Sequence, residues 1–141
     1  MLSGVSGYES VEHTADLAIR AWAPDVRGLI EQAARGMLSL MLDHAPAASE
    51  HCEIAGEAPD AEELLVDCLR ELLALVNIEC LVPVTVDVMG VCGGRARCRV
   101  GVVSFGDGRE ALVQEIKAVT YHGLEVGRTE AGLEVTVVFD V

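Results

Sequence analysis

The chain has 141 residues, of which 10 are basic and 23 acidic, so its formal net charge is −13. This charge argues against direct binding of nucleic acid, because phosphate contacts depend on lysine and arginine. No apolar run reaches the roughly 20 residues of a membrane span, and the first residues lack the basic and apolar regions of a signal peptide. The length and the 51% hydrophobic content fit one domain over residues 1–141, with residues 1–7 expected to be flexible.

The first half of the chain predicts strand, strand, helix, strand and helix. We place these elements at Tyr8–His13, Leu17–Ala23, Asp25–Leu42, His51–Gly56 and Asp60–Val76. Asp25 and Asp60 are the expected N-caps of the two helices, and Glu63 completes a capping-box pattern after Asp60. The acidic residues of the second helix are expected on its solvent face. A loop over Asp43–Glu50 separates the first helix from the third strand.

In the second half the apolar residues alternate with a period of two, which predicts strands. We place these strands at Val82–Met89, Arg95–Val103, Gln114–Val126 and Leu133–Asp140. The segments between them are expected to be turns or loops, at Gly90–Gly94, Ser104–Arg109 and Gly127–Gly132. The element order indicates a single α+β domain, a mostly antiparallel β-sheet with two main α-helices packed on it.

The last strand ends in a pair of anionic groups. Asp140 is followed only by Val141, so the Asp140 carboxylate is expected beside the terminal α-carboxylate. Two adjacent anions repel each other, which favours a cation or a positively charged partner between them. The alternative is a strand that simply ends in a polar residue at the surface.

Lys117 is the only lysine, since the other nine basic residues are arginine. A compact ammonium differs from the planar guanidinium fork, so one lysine among arginines suggests a site that needs a point charge. A hairpin centred on Glu130 would place Asp140 roughly opposite Thr120, within a few residues, and so bring Lys117 near Asp140. A chance occurrence of a single lysine is the competing explanation.

A third polar patch lies between the first two strands, at His13–Asp16. Asp16 could complete a local turn, with His13 and Thr14 bonding nearby backbone groups. Alternatively, Asp16 joins Asp140 as an oxygen ligand, and a set of oxygen ligands alone suits Ca²⁺, Mg²⁺ or Mn²⁺.

The remaining candidates have simpler explanations. The five cysteines lack paired ligand spacing and are expected to be buried thiols in a reducing cytosol, at Cys52, Cys68, Cys80, Cys92 and Cys98. His44 and His51 are expected at the surface. The stripe of Arg95, Arg97 and Arg99 could touch RNA or a protein, although a solvated strand face explains it as well.

Four segments resemble the archease family, in the same order along the chain. They are YESVEHTADLAIRAWA with the following AARGMLSLM, then EELLVDCLRELLALVNIE, EIKAVTYHGLEV and the ending VTVVFDV. The resemblance runs from Tyr8 to Val141, and HTAD, KAVTYH and a terminal FDV are specific in combination.

The resemblance implies a cytoplasmic accessory protein, itself not an enzyme, of the RtcB-type RNA ligase that acts in tRNA splicing. Such proteins promote guanylylation of the ligase and multiple turnover, can alter its nucleotide choice, and meet RNA only through the ligase, with no membrane involved. The resemblance also implies a divalent cation, Ca²⁺ before Mg²⁺ or Mn²⁺, at Asp16, Asp140 and Val141. It further implies that Lys117 is a functional lysine.

Two other functions are compatible with the same residues. One is a small metal-dependent phosphohydrolase that uses these carboxylates with Lys117 and His122. The other is a chaperone-like protein-interaction module without metal chemistry. Residues 91–108 match no motif of the archease family.

Overall fold

The computed structural model describes residues 5–12, 16–121 and 124–141. In chain order the elements are β1 (Gly7–Glu12), β2 (Leu17–Ala23), α1 (Val26–Met41), β3 (Glu50–Glu57), α2 (Ala61–Asn77), β4 (Leu81–Cys92), β5 (Arg95–Ser104), α3 (Phe105–Gly108), a 3-10 turn (Arg109–Ala111), β6 (Ala118–Thr120), β7 (Gly127–Thr129) and β8 (Gly132–Asp140). The flexibility of residues 1–7 stays a prediction, because residues 1–4 lie outside the described part of the chain and β1 begins at Gly7.

Both long helices begin where their caps were predicted. The Asp25 side chain accepts a hydrogen bond from the backbone N–H of Gly28 at 2.8 Å, and Asp60 accepts one from Glu63 at 2.8 Å. Each bond satisfies one of the N–H groups that the first turn of a helix leaves without a partner. The polar residues before the two apolar stripes therefore determine where α1 and α2 begin.

The strands form two antiparallel sheets, and the helices pack between them. Within the described residues, one sheet has the order β1-β2-β8-β6, with β7 also paired to β8, and the other has the order β3-β5-β4. The hydrophobic core joins the inner faces of both sheets to α1 and α2. This arrangement confirms the predicted α+β class. None of the described helices is long and apolar enough to cross a membrane.

Side chains of α1 protect the free edge of the smaller sheet, along β4. The Glu31 carboxylate accepts the N–H of Val88 at 2.9 Å, and Arg27 donates to the Val88 carbonyl at 3.0 Å. Arg35 donates to the Val86 carbonyl at 3.3 Å. Glu31 also pairs with both arginines, at 3.2 and 3.5 Å. An unpaired strand edge can recruit another chain. These bonds satisfy the backbone groups at the edge of β4 and also block its pairing with another chain.

The hairpin of β4 and β5 turns within the predicted segment Gly90–Gly94, although Gly90–Cys92 still belong to β4. Gly93 and Gly94 form its two-residue loop with φ values of 58° and 74°, a conformation that favours glycine. The loop predicted at Ser104–Arg109 is wrong, because α3 and the start of the 3-10 turn occupy it. The Ser104 hydroxyl caps α3 by accepting a hydrogen bond from the N–H of Asp107. A search for alternating apolar residues does not detect such a cap.

The long strand predicted at Gln114–Val126 is also wrong, because among the described residues of that segment only Ala118–Thr120 forms a ladder. Gly127–Thr129, predicted as part of a turn, is the strand β7. Gly127 lies seven positions after Thr120, whereas their partners on β8, Val138 and Glu134, are only four positions apart. The chain between them is three residues longer than a continuous ladder on β8 would need, so two short strands share β8 where the sequence predicted one long strand.

Candidate functional site

Asp16 and Asp140 occupy adjacent positions at one end of the larger sheet. The ladder between β2 and β8 ends with Leu17 opposite Phe139. Asp16 directly precedes Leu17, and Asp140 directly follows Phe139. Phe139 is fully buried while Asp140 is exposed, as expected for consecutive residues of a strand with one buried face. The register therefore supports the predicted proximity of these two carboxylates.

Lys117 lies on the other side of Asp140. Ala118 is paired with Asp140, and the backbone N–H of Lys117 donates to the Asp140 carbonyl at 2.8 Å. The pairing partner of Asp140 is thus two residues from Thr120, inside the predicted range. Ile116 is fully buried, whereas Lys117 is exposed. The burial of Ile116 and this hydrogen bond position the backbone of Lys117 and leave its side chain at the surface.

The donor set at this strand end fits a hard cation. Its side chains are the carboxylates of Asp16 and Asp140, and Val141 is the last residue of the sequence. Hard divalent cations prefer oxygen ligands of this kind. Among the described residues, no group of three or more His, Cys, Asp or Glu side chains could hold a metal ion. The proposed set has only two such side chains, because its third donor belongs to the main chain.

Two polar residues considered from the sequence cannot be placed at the site. His13 and Thr14 lie outside the described residues, as does His122. The contribution of these side chains to the site therefore stays a prediction.

A segment that the sequence analysis missed leads into the site. The Met41 carbonyl, at the end of α1, accepts the backbone N–H groups of Val113 at 2.9 Å and Gln114 at 3.3 Å. These bonds satisfy a carbonyl that a helix end leaves without an internal partner. We call residues 112–116 the strap. It ends directly before Lys117, so the end of α1 helps to position that lysine.

The arginine of β2, Arg20, is engaged in contacts outside the candidate site. Arg20 bonds to Glu9 at 2.8 Å and to Glu134 at 2.7 Å, and its guanidinium lies 4.6 Å from the centre of the Trp22 ring. The hydrogen bond to Glu9 and the charges of both carboxylates raise the pKa of Arg20. Arg20 is therefore held by its own carboxylate partners.

The arginine stripe on β5 is a solvated strand face. Arg95, Arg97 and Arg99 are exposed. Arg95 pairs with Glu57 and Arg97 pairs with Glu53 on β3, each at 3.6 Å. These carboxylates offset the positive charge, which weakens the stripe as a surface for RNA.

The remaining predictions concern histidine and cysteine. His44 and His51 are exposed, as predicted. All five cysteines are free thiols; Cys68 and Cys98 are buried, but Cys80 and Cys92 are exposed. The prediction that the cysteines are buried is therefore wrong for those two, which lie after α2 and at the end of β4, outside the apolar faces of these elements.

The fold and site describe a small α+β domain with carboxylates and a lysine gathered at one strand end. The model of the Archease protein family (MTH1598/TM1083) matches residues 8–141. The chain therefore belongs to the archease family.

Relatives from distant organisms agree with this assignment. Protein archease of Methanosarcina acetivorans is 32% identical over 139 residues, with 95% of each chain covered. Probable protein archease of Mycobacterium tuberculosis is 34% identical, with 96% of this chain and 75% of the relative covered.

Two solved structures share the fold. Protein 1598 of Methanobacterium thermoautotrophicum has a TM-score of 0.69 and 25% identity, with 96% of this chain and 99% of that chain covered. An archease of Thermotoga maritima, described as a possible chaperone, has a TM-score of 0.67 and 24% identity, with 94% and 96% covered. The second comparison bears on the fold alone.

Proposed function

We propose that this archease is an accessory protein of an RtcB-type tRNA-splicing RNA ligase, which promotes guanylylation of the ligase and multiple turnover. The observation that carries the proposal is the arrangement at the end of β8. There Asp140 lies between Asp16 and Lys117, in a chain that the archease family model matches over residues 8–141. The archease itself catalyses no reaction in this proposal.

The proposed cation ligands are Asp16, Asp140 and the α-carboxylate of Val141. Ca²⁺ is the first choice, and Mg²⁺ or Mn²⁺ are the alternatives, since all three prefer oxygen donors. A bound divalent cation would supply positive charge where these anions otherwise repel one another. The chain's own residues supply the ligands and, through the β2–β8 register, keep two of them adjacent.

Lys117 is the proposed contact to a negatively charged group, on the nucleotide or on the ligase. Its ammonium is exposed, while its backbone is held by Asp140. An ammonium forms strong charge-assisted bonds with phosphate or carboxylate oxygens. The net charge of −13 supports docking on a basic, RNA-binding partner, so that RNA is reached only through the ligase. Such a partner places the protein in the cytoplasm, the compartment expected from its sequence.

The test is multiple-turnover RNA ligation by the cognate ligase, with and without this protein. Asp16→Ala and Asp140→Ala should lose activation, and calorimetric Ca²⁺ binding should be lost with it. Glu130→Ala, which removes an exposed carboxylate at the turn between β7 and β8, is the matched control. If Asp140→Ala activates like the parent protein, the cation site is not needed and that part of the proposal is wrong.

A second variant tests Lys117 by itself. Lys117→Arg keeps the charge but replaces a compact ammonium with a planar fork, so activation should fall while folding is unchanged. Full activation by Lys117→Arg would mean that charge alone suffices at this position.

An assay without the ligase separates an accessory protein from an enzyme. The protein alone, incubated with nucleotides or phosphoesters and Mg²⁺ or Mn²⁺, should give no turnover. Turnover that is lost in Asp140→Ala would instead favour the metal-dependent phosphohydrolase.

A further inference from the structure

An apolar groove of about 440 Å³ lies beside the strap. Its apolar lining comes from four parts of the fold: Met41 at the end of α1, Val76 in α2, Phe105 in α3, and Leu112 with Ile116 in the strap. This volume is within the range of roughly 300–1,000 Å³ found for ligand pockets. The groove thus offers room for one or two large side chains.

The surroundings of the groove are electrostatically negative. Both α1 and α2 end here, and the C-terminus of a helix carries a partial negative charge, which the strap N–H groups on the Met41 carbonyl offset in part at α1. Neither of these two helices, both fully described, has a basic residue in its last turn to offset that charge. Glu115 lines the groove and is exposed, and Glu79 is exposed next to the lining residue Cys80. Charge complementarity therefore favours a cationic occupant.

Exposed apolar side chains extend this surface beyond the groove. Val113, which also lines it, is 62% exposed. Ile78, between the lining residues Asn77 and Cys80, is 72% exposed. Such side chains at the rim suit a polypeptide better than a small molecule, because a polypeptide can cover both the groove and its rim. Arg109 and Glu110 line a separate depression that shares Phe105 with the groove.

We propose that this groove docks a segment of the ligase that carries a large apolar side chain next to lysine or arginine. The apolar side chain fills the groove, and the cationic side chain meets Glu115 and the end of α2. The inference rests on the proposed function, because the partner is the ligase of that proposal. Since the strap continues into Lys117, the docked segment would hold the lysine and Asp140 against the same partner.

The first experiment measures binding of the ligase to surface variants by calorimetry. Val113→Asp and Glu115→Lys should each weaken binding by at least about tenfold, the loss expected at the centre of an interface. Their matched controls are Met89→Asp, an exposed apolar residue on β4, and Glu130→Lys on the β7–β8 turn; both should bind like the parent. Unchanged binding by both groove variants would overturn the docking site.

The second experiment uses the protein without substitutions. Cys80 lines the groove and Cys92 lies at the end of β4, and both thiols are exposed. Saturating ligase should slow alkylation of Cys80 by N-ethylmaleimide and leave Cys92 unchanged, as read by mass spectrometry. Equal alkylation of Cys80 with and without bound ligase would also overturn the docking site.

The two proposals fail in different ways. If the parent protein neither binds nor activates the ligase, the proposed function and the docking site are both wrong. If the parent protein activates the ligase while the groove variants bind normally and Cys80 stays reactive, only the docking site is wrong.

Discussion

Removing the Glu31 carboxylate should destabilise the fold more than its place on a helix surface suggests. The carboxylate is the acceptor for the N–H of Val88 at the edge of β4, and the Glu31 side chain is only 13% exposed. A partly buried N–H that loses a charged acceptor costs about 1–3 kcal/mol. The ion pairs with Arg27 and Arg35 are more exposed and add less than about 1 kcal/mol. Together these contributions predict a loss of about 2–3 kcal/mol in Glu31→Ala.

Urea denaturation gives the free energy of unfolding, and thermal unfolding should show a midpoint lower by roughly 7–10 °C. Glu31→Gln keeps an oxygen for the Val88 N–H, so it should lose less than Glu31→Ala. The matched control is Glu53→Ala, whose carboxylate is 57% exposed and pairs with Arg97 at 3.6 Å. That control should lose less than about 0.5 kcal/mol, since exposed ion pairs contribute little. If Glu31→Ala is as stable as Glu53→Ala, the argument about edge protection is wrong.

Two further predictions concern α2 and the smaller sheet. Gly56→Ala should lower stability by about 1–3 kcal/mol, because a Cβ there would lie 2.5 Å from the Cys68 sulfur and 3.0 Å from the Cys68 backbone nitrogen. Adding Cys68→Ala to this variant should recover only part of the loss, as measured by thermal unfolding. Cys80 and Cys92 should react with a thiol reagent in the native protein, whereas Cys68 and Cys98 should react only after unfolding.

The features predicted correctly from the sequence are those that depend on near neighbours. The caps Asp25 and Asp60 act three residues away, on Gly28 and Glu63, so their signal is contained in a short window. Alternation located β8 for the same reason, because consecutive residues of a strand point to opposite faces of the sheet. Local rules therefore identified the two long helices and the strand that carries Asp140.

The wrong prediction of one long strand over Gln114–Val126 involves partners that are distant in sequence. The strap is fixed by the carbonyl of Met41, about 70 residues before Val113. Two backbone N–H groups of the strap donate to this carbonyl and not to a neighbouring strand. Similarly, the N–H of Val126 bonds to Glu62 at 3.1 Å, which holds the residue directly before β7 against α2. A period of two cannot show that a strand ends where a helix supplies a better acceptor.

The same contacts change the interpretation of the acidic face of α2. Glu62 was expected on the solvent face, yet it accepts a backbone N–H, and so does Asp67, from Glu57 at 2.7 Å. Carboxylates on a helix surface can thus position neighbouring chain segments as well as interact with water. Part of the negative charge of the protein therefore lies on carboxylates that hold the fold together.

The arrangement of the candidate site is tied to the hydrophobic core through β8. This strand pairs with β2, β6 and β7, so Asp16, Lys117 and Asp140 all take their positions from it. Val135, Val137 and Phe139 are buried on its inner face, and a slip of one residue would expose all three and bury Asp140. Because that slip would cost several kcal/mol of burial, the register is strongly specified. A site made of side chains at strand ends can therefore be preorganised, with the core holding the backbone from which those side chains extend.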